Sequence, residues 1–188
     1  MIYPIVAYGD PVLKKVGEDI DKNYPGIEQL IEDMYETMYA SHGVGLAAPQ
    51  IGKSIRLFII DASPFADEHP ELEGYKKTFI NAEILDEKGE EWVFNEGCLS
   101  IPNVREDVKR HPIVKMKYLD ENFNEHVEVF TGIPARIIQH EYDHIDGVLF
   151  VDHISALRKR MIKAKLTNIA KGNVSVDYKM KFPLLKKG

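Results

Sequence analysis

The chain predicts an α+β fold: antiparallel or mixed β-sheets packed around a central helix, with one helix N-terminal to it and a basic helix C-terminal to it. Two observations lead there. Apolar residues recur at helical spacing in separate stretches. Short runs rich in Val, Ile, Phe and Tyr, broken by turn residues, occupy the middle of the chain. Strand runs flanking a helix suggest sheets folded around it.

Taken in order, Pro25 to His42 reads as the first helix. Ile27, Leu30, Ile31, Met34 and Met38 form one stripe, and Gly43 ends it. Ser54 to Asp61, Lys77 to Leu85, Glu91 to Phe94, Ile113 to Leu119 and His126 to Phe130 read as strands. Asp61 to Gly74, with its prolines and acids, reads as a surface loop. Ile133 to Ile145 is the central helix; Pro134 is tolerated in its first turn, where a missing N–H costs nothing. Ser155 to Ala170 reads as the last helix, with Leu157, Met161, Ile162, Leu166 and Ile169 as its apolar stripe. Residues 1–188 form a single domain, in which 153–188 are the basic C-terminal helix and tail.

Composition narrows the class. No apolar run approaches the ~18 residues of a membrane span. Met1 to Val6 lacks the basic start and long apolar stretch of a signal peptide. A single cysteine excludes an internal disulfide and suits a reducing compartment. The expected location is cytoplasmic, with no membrane and no DNA partner. There is no internal repeat and no low-complexity linker.

The chemistry concentrates in Gln139-His140-Glu141-Tyr142-Asp143-His144, which contains H-E-x-x-H. On a helix, residues four apart share a face, so both imidazoles can reach one divalent metal. Glu141 follows the first histidine and can reach a metal-bound water without being a ligand. A solvated helix with two histidines is the bland alternative. The apolar flank of Ile133, Ile137, Ile138 and Ile145 argues for burial instead, and buried histidines need partners.

Two histidines leave a site incomplete. The longer pattern H-E-x-x-H-x-x-G-x-x-H is satisfied at Gly147 but fails at Phe150, where it needs a histidine. A downstream glutamate ligand fails too, because no glutamate follows Glu141. Asp146, Asp152 and His153 remain open, without a pattern to support them. Upstream, Cys98 is the only cysteine, and a lone cysteine is commonly just a small buried hydrophobe. Here it follows Gly97 at the end of a strand-like run, where a thiolate could be presented. A third stretch, Gly43-Val44-Gly45-Leu46-Ala47-Ala48-Pro49-Gln50, suggests close backbone approach. It matches neither a P-loop nor a dinucleotide fingerprint. Its terminal amide, Gln50, could donate to an oxyanion; the alternative is a tight turn without a role.

Together these segments resemble the peptide deformylase family. Its signatures are a G-x-G-x-A-A-x-Q loop, an E-G-C-L-S turn and a Q-H-E-x-D-H helix. Gly43 to Gln50, Glu96 to Ser100 and Gln139 to His144 carry all three, in that order, and the resemblance covers essentially the whole chain. It implies one divalent metal held by Cys98, His140 and His144. The ion would be ferrous iron, with zinc, nickel or cobalt as substitutes. It implies Glu141 as general acid and base, and Gln50 with the backbone N–H of Leu99 as oxyanion donors. The substrate would be the N-formyl group on the initiator methionine of a nascent polypeptide, released as formate. Gly45, Glu96 and Gly97 would contact the peptide, Arg105 would line its groove, and Val44 and Ile137 are candidates for a methionine pocket, with ordinary core packing the alternative for both. The implied fold is sheets folded around the metal helix.

Charge divides the chain. Residues 1–152 carry 14 Lys and Arg against 29 Asp and Glu; residues 153–188 carry 10 against one, Asp177. The basic helix is either a solvated helix docked on an acidic domain or an electrostatic contact with ribosomal RNA. Two other function classes stand beside deformylation. An H-E-x-x-H metallopeptidase would leave Cys98 and Gln50 unexplained. A non-catalytic metal module would need four closed ligands.

Overall fold

The computed structural model describes residues 1–185. Residues 186–188 of the predicted basic tail lie outside the described residues. The elements run β1 (Ile5–Val6), α1 (Ile27–Ala40), β2 (Gly45–Ala47), β3 (Leu57–Asp61), β4 (Lys76–Lys88), β5 (Trp92–Cys98), β6 (Ile101–Arg110), β7 (Ile113–Leu119), β8 (Glu125–Thr131), α2 (Gly132–Ile145), α3 (Ala156–Ala170) and β9 (Met180–Lys181). The fold is α+β, as the sequence predicts.

A five-stranded antiparallel sheet, ordered β2-β3-β4-β7-β8, forms the frame. β3 is buried along its whole length, because both faces of the sheet are covered there. Its alternation sorts the core. Leu57 and Ile59 pack with Leu30, Met34 and Met38 of α1. Phe58 and Ile60 pack with Ile137, Ile138 and Ile145 of α2. The β5–β6 hairpin lies on the other side of α2 and is tied to it by Arg136, which donates to the Trp92 and Val108 carbonyls at 2.7 and 3.0 Å. α2 is thus held between a sheet and a hairpin.

α3 differs from its expected stripe. Ile162, Leu166 and Ile169 are buried against Ile101, Val104 and Val108, but Leu157 and Met161 are 66% and 62% exposed. The two exposed residues lie on the face that turns away from the hairpin. Ser155 caps the helix, its hydroxyl accepting from the Arg158 N–H. Four strands lie outside those the sequence predicts: β6, ten residues that contain Pro102 and alternate with charged ones; β1 and β9, a two-residue parallel pair; and β2, three residues in a stretch that reads as loop. The 61–74 loop is interrupted by two 3-10 turns, Ser63–Phe65 and Pro70–Leu72.

Candidate metal centre and substrate cleft

Cys98 stands where the hairpin breaks register. Gly97 pairs with Arg105, but Cys98 pairs with Ile101, so residues 102–104 bulge from β6. Asn103, in the bulge, adopts φ 62°, a region asparagine tolerates better than most residues. The break brings Cys98 Sγ to 3.4 Å from His144 Nε2. His140 and His144 lie one helical turn apart, their ring centroids 5.2 Å from each other. The Cys98 sulfur and one nitrogen of each ring all fall within 4.8 Å of one another. His140 donates from Nδ1 to Glu96 at 2.9 Å, so its Nε2 is the nitrogen left for a metal. One soft sulfur and two imidazole nitrogens with room for a further ligand fit a catalytic site for a divalent ion.

The helix that carries the histidines is closed by a Schellman motif. Val148 N–H bonds to the Asp143 carbonyl and Gly147 N–H to that of His144, with Gly147 at φ 73°. This is the work of the glycine that mimics the longer zinc pattern. Phe150, at the position where that pattern needs a histidine, is buried and stacks on the His140 ring at 6.0 Å. Gln139 belongs to the scaffold: its amide donates to the His111 and Ala135 carbonyls, both at 3.0 Å.

Glu141 is buried at the wall of the cleft, and its Oε2 has no hydrogen-bond partner among the described residues. Burial pushes its carboxyl pKa up to about 7. Gly45 makes that position available. A Cβ at residue 45 would lie 2.8 Å from Cγ and Cδ of Glu141, closer than real contacts allow. The expectation that Gly45 serves the peptide therefore needs widening, because its missing side chain is first of all space for Glu141. Gln50 is oriented by its own loop: Oε1 accepts from Ala47 N–H at 2.9 Å, and Nε2 points to Cys98 Sγ at 3.4 Å and Ser100 Oγ at 3.3 Å.

Glu96 differs from its expected place among the substrate contacts. Although it borders the cleft, its carboxylate is 4% exposed and fully engaged. It accepts from Arg110 at 2.7 and 3.0 Å, Arg136 at 2.9 Å and His140 at 2.9 Å. Burial alone would raise its pKa. The hydrogen bonds from His140 and Arg110 outweigh that and hold the carboxyl well below the usual range. Arg110 also bonds Asp143 at 2.8 Å, and Asp143 accepts from His153 at 2.7 Å.

A cleft of about 850 Å³ opens over the cluster. Val44, Ile137, Gly97, Leu99 and Arg105 all line it. Arg105 is fixed across the hairpin, donating to Asn95 Oδ1 at 2.8 Å and to the Asn95 carbonyl at 2.7 Å. Sequence reasoning missed Arg110 and Arg136. Arg136 precedes His140 by four residues and so shares its face; nothing local marks Arg110. It also missed residues 175–178 of the C-terminal tail, which form part of the cleft wall. The alternation of Val174, Val176, Tyr178, Met180 and Phe182 was the available signal.

A thiol and two imidazoles beside a buried carboxylate in a cleft define a metal-dependent hydrolase site. Comparison with known proteins makes this specific. Residues 2–160 match the family model for polypeptide deformylase. The chain is 57% identical to the peptide deformylase of Christiangramia forsetii, over 100% of this chain and 99% of that one. It is 58% identical to that of Flavobacterium johnsoniae, over the full length of both. The solved peptide deformylase of Legionella pneumophila superposes with a TM-score of 0.80 at 36% identity, covering 92% of this chain and 98% of that one. The chain belongs to the polypeptide deformylase family. Its reaction is hydrolytic removal of the N-formyl group from nascent peptides, and the metallopeptidase alternative is not favoured.

Proposed function

We propose that Cys98, His140 and His144 hold one divalent ion, ferrous in the cell, and that Glu141, Gln50 and the Leu99 N–H carry out the deformylation around it. The observation that carries this reading is the convergence of one sulfur and two ring nitrogens within 4.8 Å, in a cleft walled by a carboxylate whose Oε2 has no hydrogen-bond partner among the described residues. When bound, the ion supplies Lewis acidity and a lowered water pKa. Glu141 accepts the proton released as water attacks the formyl carbon, then delivers a proton to the leaving amine. A carboxyl with a pKa near neutral suits both transfers. Negative charge gathers on the formyl oxygen, where the Gln50 amide and the Leu99 N–H donate to it. Val44 and Ile137 offer apolar surface to the methionine side chain, and Glu96 acts through His140 by fixing its ring.

The test is formate release from a formyl-Met peptide by anaerobically purified protein, beside the Glu141→Gln variant. The wild type should release formate. The variant, with metal still bound, should be slower by roughly a hundredfold to ten-thousandfold. A metal-loaded variant that matches the wild type would remove Glu141 from the proton path.

We further propose that α3 meets the ribosome, in the cytoplasm where new chains emerge. Arg158 is engaged with Glu106 at 2.7 and 3.0 Å, while Lys159, Arg160, Lys163 and Lys165 are exposed beside Leu157 and Met161. Such a basic surface attracts RNA in a salt-dependent way. Reversing those four charges to Glu leaves the buried Ile162, Leu166 and Ile169 in place and should abolish co-sedimentation with ribosomes. Undiminished co-sedimentation would reject the contact.

A further inference from the structure

The chain beyond α3 falls outside the family match, which stops at residue 160. It is nonetheless tightly placed. From Val174 to Phe182 the residues alternate, with Val174, Val176, Tyr178, Met180 and Phe182 half-buried and the residues between them exposed. Tyr178 and Met180 pack on the α1–β3 core, and Val174, Met180 and Phe182 pack on the α3 core. The backbone is fastened too. Ile5 and Ala7 donate to the carbonyls of Lys179 and Lys181, both at 2.9 Å, and Asn103 Nδ2 donates to the Ser175 carbonyl at 3.0 Å.

Tyr178 reaches furthest into the chemistry. Its hydroxyl donates to the Leu99 carbonyl at 2.8 Å. The next carbonyl, of Ser100, accepts from the Tyr8 N–H at 2.8 Å. These two bonds hold the turn that follows Cys98, and that turn carries the Leu99 N–H. A two-residue turn has few other restraints, and Leu99 and Ser100 are the residues that link the paired Cys98 and Ile101.

We propose that the extended segment from Val174 to Phe182 is part of the active site, with Tyr178 as a positioning residue for the Cys98–Leu99–Ser100 turn. The inference rests on the deformylase reading of the cleft. Oxyanion donors act through geometry fixed before the reaction, and a displacement of about 1 Å can cost as much as a hundredfold in rate. The tyrosine hydroxyl touches no reacting atom. It fixes the Leu99–Ser100 peptide unit, and through it restrains the backbone of Leu99, whose N–H is in the preceding unit, so its loss falls on the transition state rather than on ground-state binding.

The experiment compares the wild type with Tyr178→Phe, which keeps the ring and removes only the hydroxyl. Readouts are kcat and KM for formyl-Met peptide, metal per chain and Tm. The expected result is a kcat lowered about fivefold or more, with KM, metal content and Tm held. Asn103→Gly frees the Ser175 carbonyl and keeps the positive φ accessible, so it should lower kcat in the same direction by a smaller factor. A kcat for Tyr178→Phe within twofold of the wild type overturns the proposal. So does a loss that tracks metal release or a fall in Tm, because that assigns the hydroxyl a structural role alone. Absence of formate from the wild type would strike at the deformylase reading and not at the role of Tyr178.

Discussion

The two sides of α2 are held by different forces. Toward the sheet, Ile137, Ile138 and Ile145 meet Phe58, Ile60, Phe79 and Phe130 in a mainly apolar contact, with Arg56 donating to the Ile145 carbonyl at 3.3 Å at the end of the helix. Toward the hairpin, Arg136, Gln139, His140 and Asp143 meet Glu96, Arg110 and a set of backbone carbonyls. Apolar burial is strong but non-directional, so it fixes where the helix lies and leaves the rotation of a ring free. Charge-assisted hydrogen bonds are directional and fix that rotation. A metal ligand needs both, and the helix supplies each from its own side.

The largest effect should come from removing the centre of the polar side. Glu96→Ala leaves Arg110 and Arg136 buried without their shared anion. Breaking such a buried network by deleting one partner costs about 3–5 kcal/mol. It also releases the His140 ring, and losing a partner of this kind typically weakens metal binding about 10–100-fold. Denaturant unfolding of the apo protein and a competitive metal titration would measure the two losses separately. Unchanged metal affinity would mean that His140 is oriented by its stacking on Phe150 alone, and the contrast between the two sides would lose its functional half.

The same contrast explains what could be read in the sequence. The sheet side was legible because periodicity reports burial, and the strand read over Ile113 to Leu119 matches β7 at both ends. The metal ligands were legible because helical spacing and three local motifs report them. Glu96 reads from its turn as a substrate contact, and it borders the cleft, but the turn does not show that its carboxylate bonds Arg110, Arg136 and His140. Nothing local shows that Arg110, at the far end of the hairpin, will fold back beside it. β6 was read only as groove lining because Pro102, Asn103 and its charged residues obscure the alternation. The alternation at 174–182 was clear, but isolated alternation does not say what it covers. Long-range pairing is what single-sequence patterns omit, and most of the polar network consists of it.

The smallest effect belongs to the apolar side. Ile138 is fully buried between Phe58 and Ile60 of the sheet and the rest of α2, and it touches none of the metal ligands' hydrogen bonds. Ile138→Val removes one methylene and keeps the branched shape. The cost should be about 0.5–1.5 kcal/mol from lost transfer energy and a small cavity. Because the hairpin side is untouched, kcat and metal content should stay at wild-type values while the unfolding midpoint falls. Paired unfolding and formate assays decide the matter. If kcat drops together with stability, the position of the helix is set more finely by packing than by its charges, and the division between the two sides is one of degree.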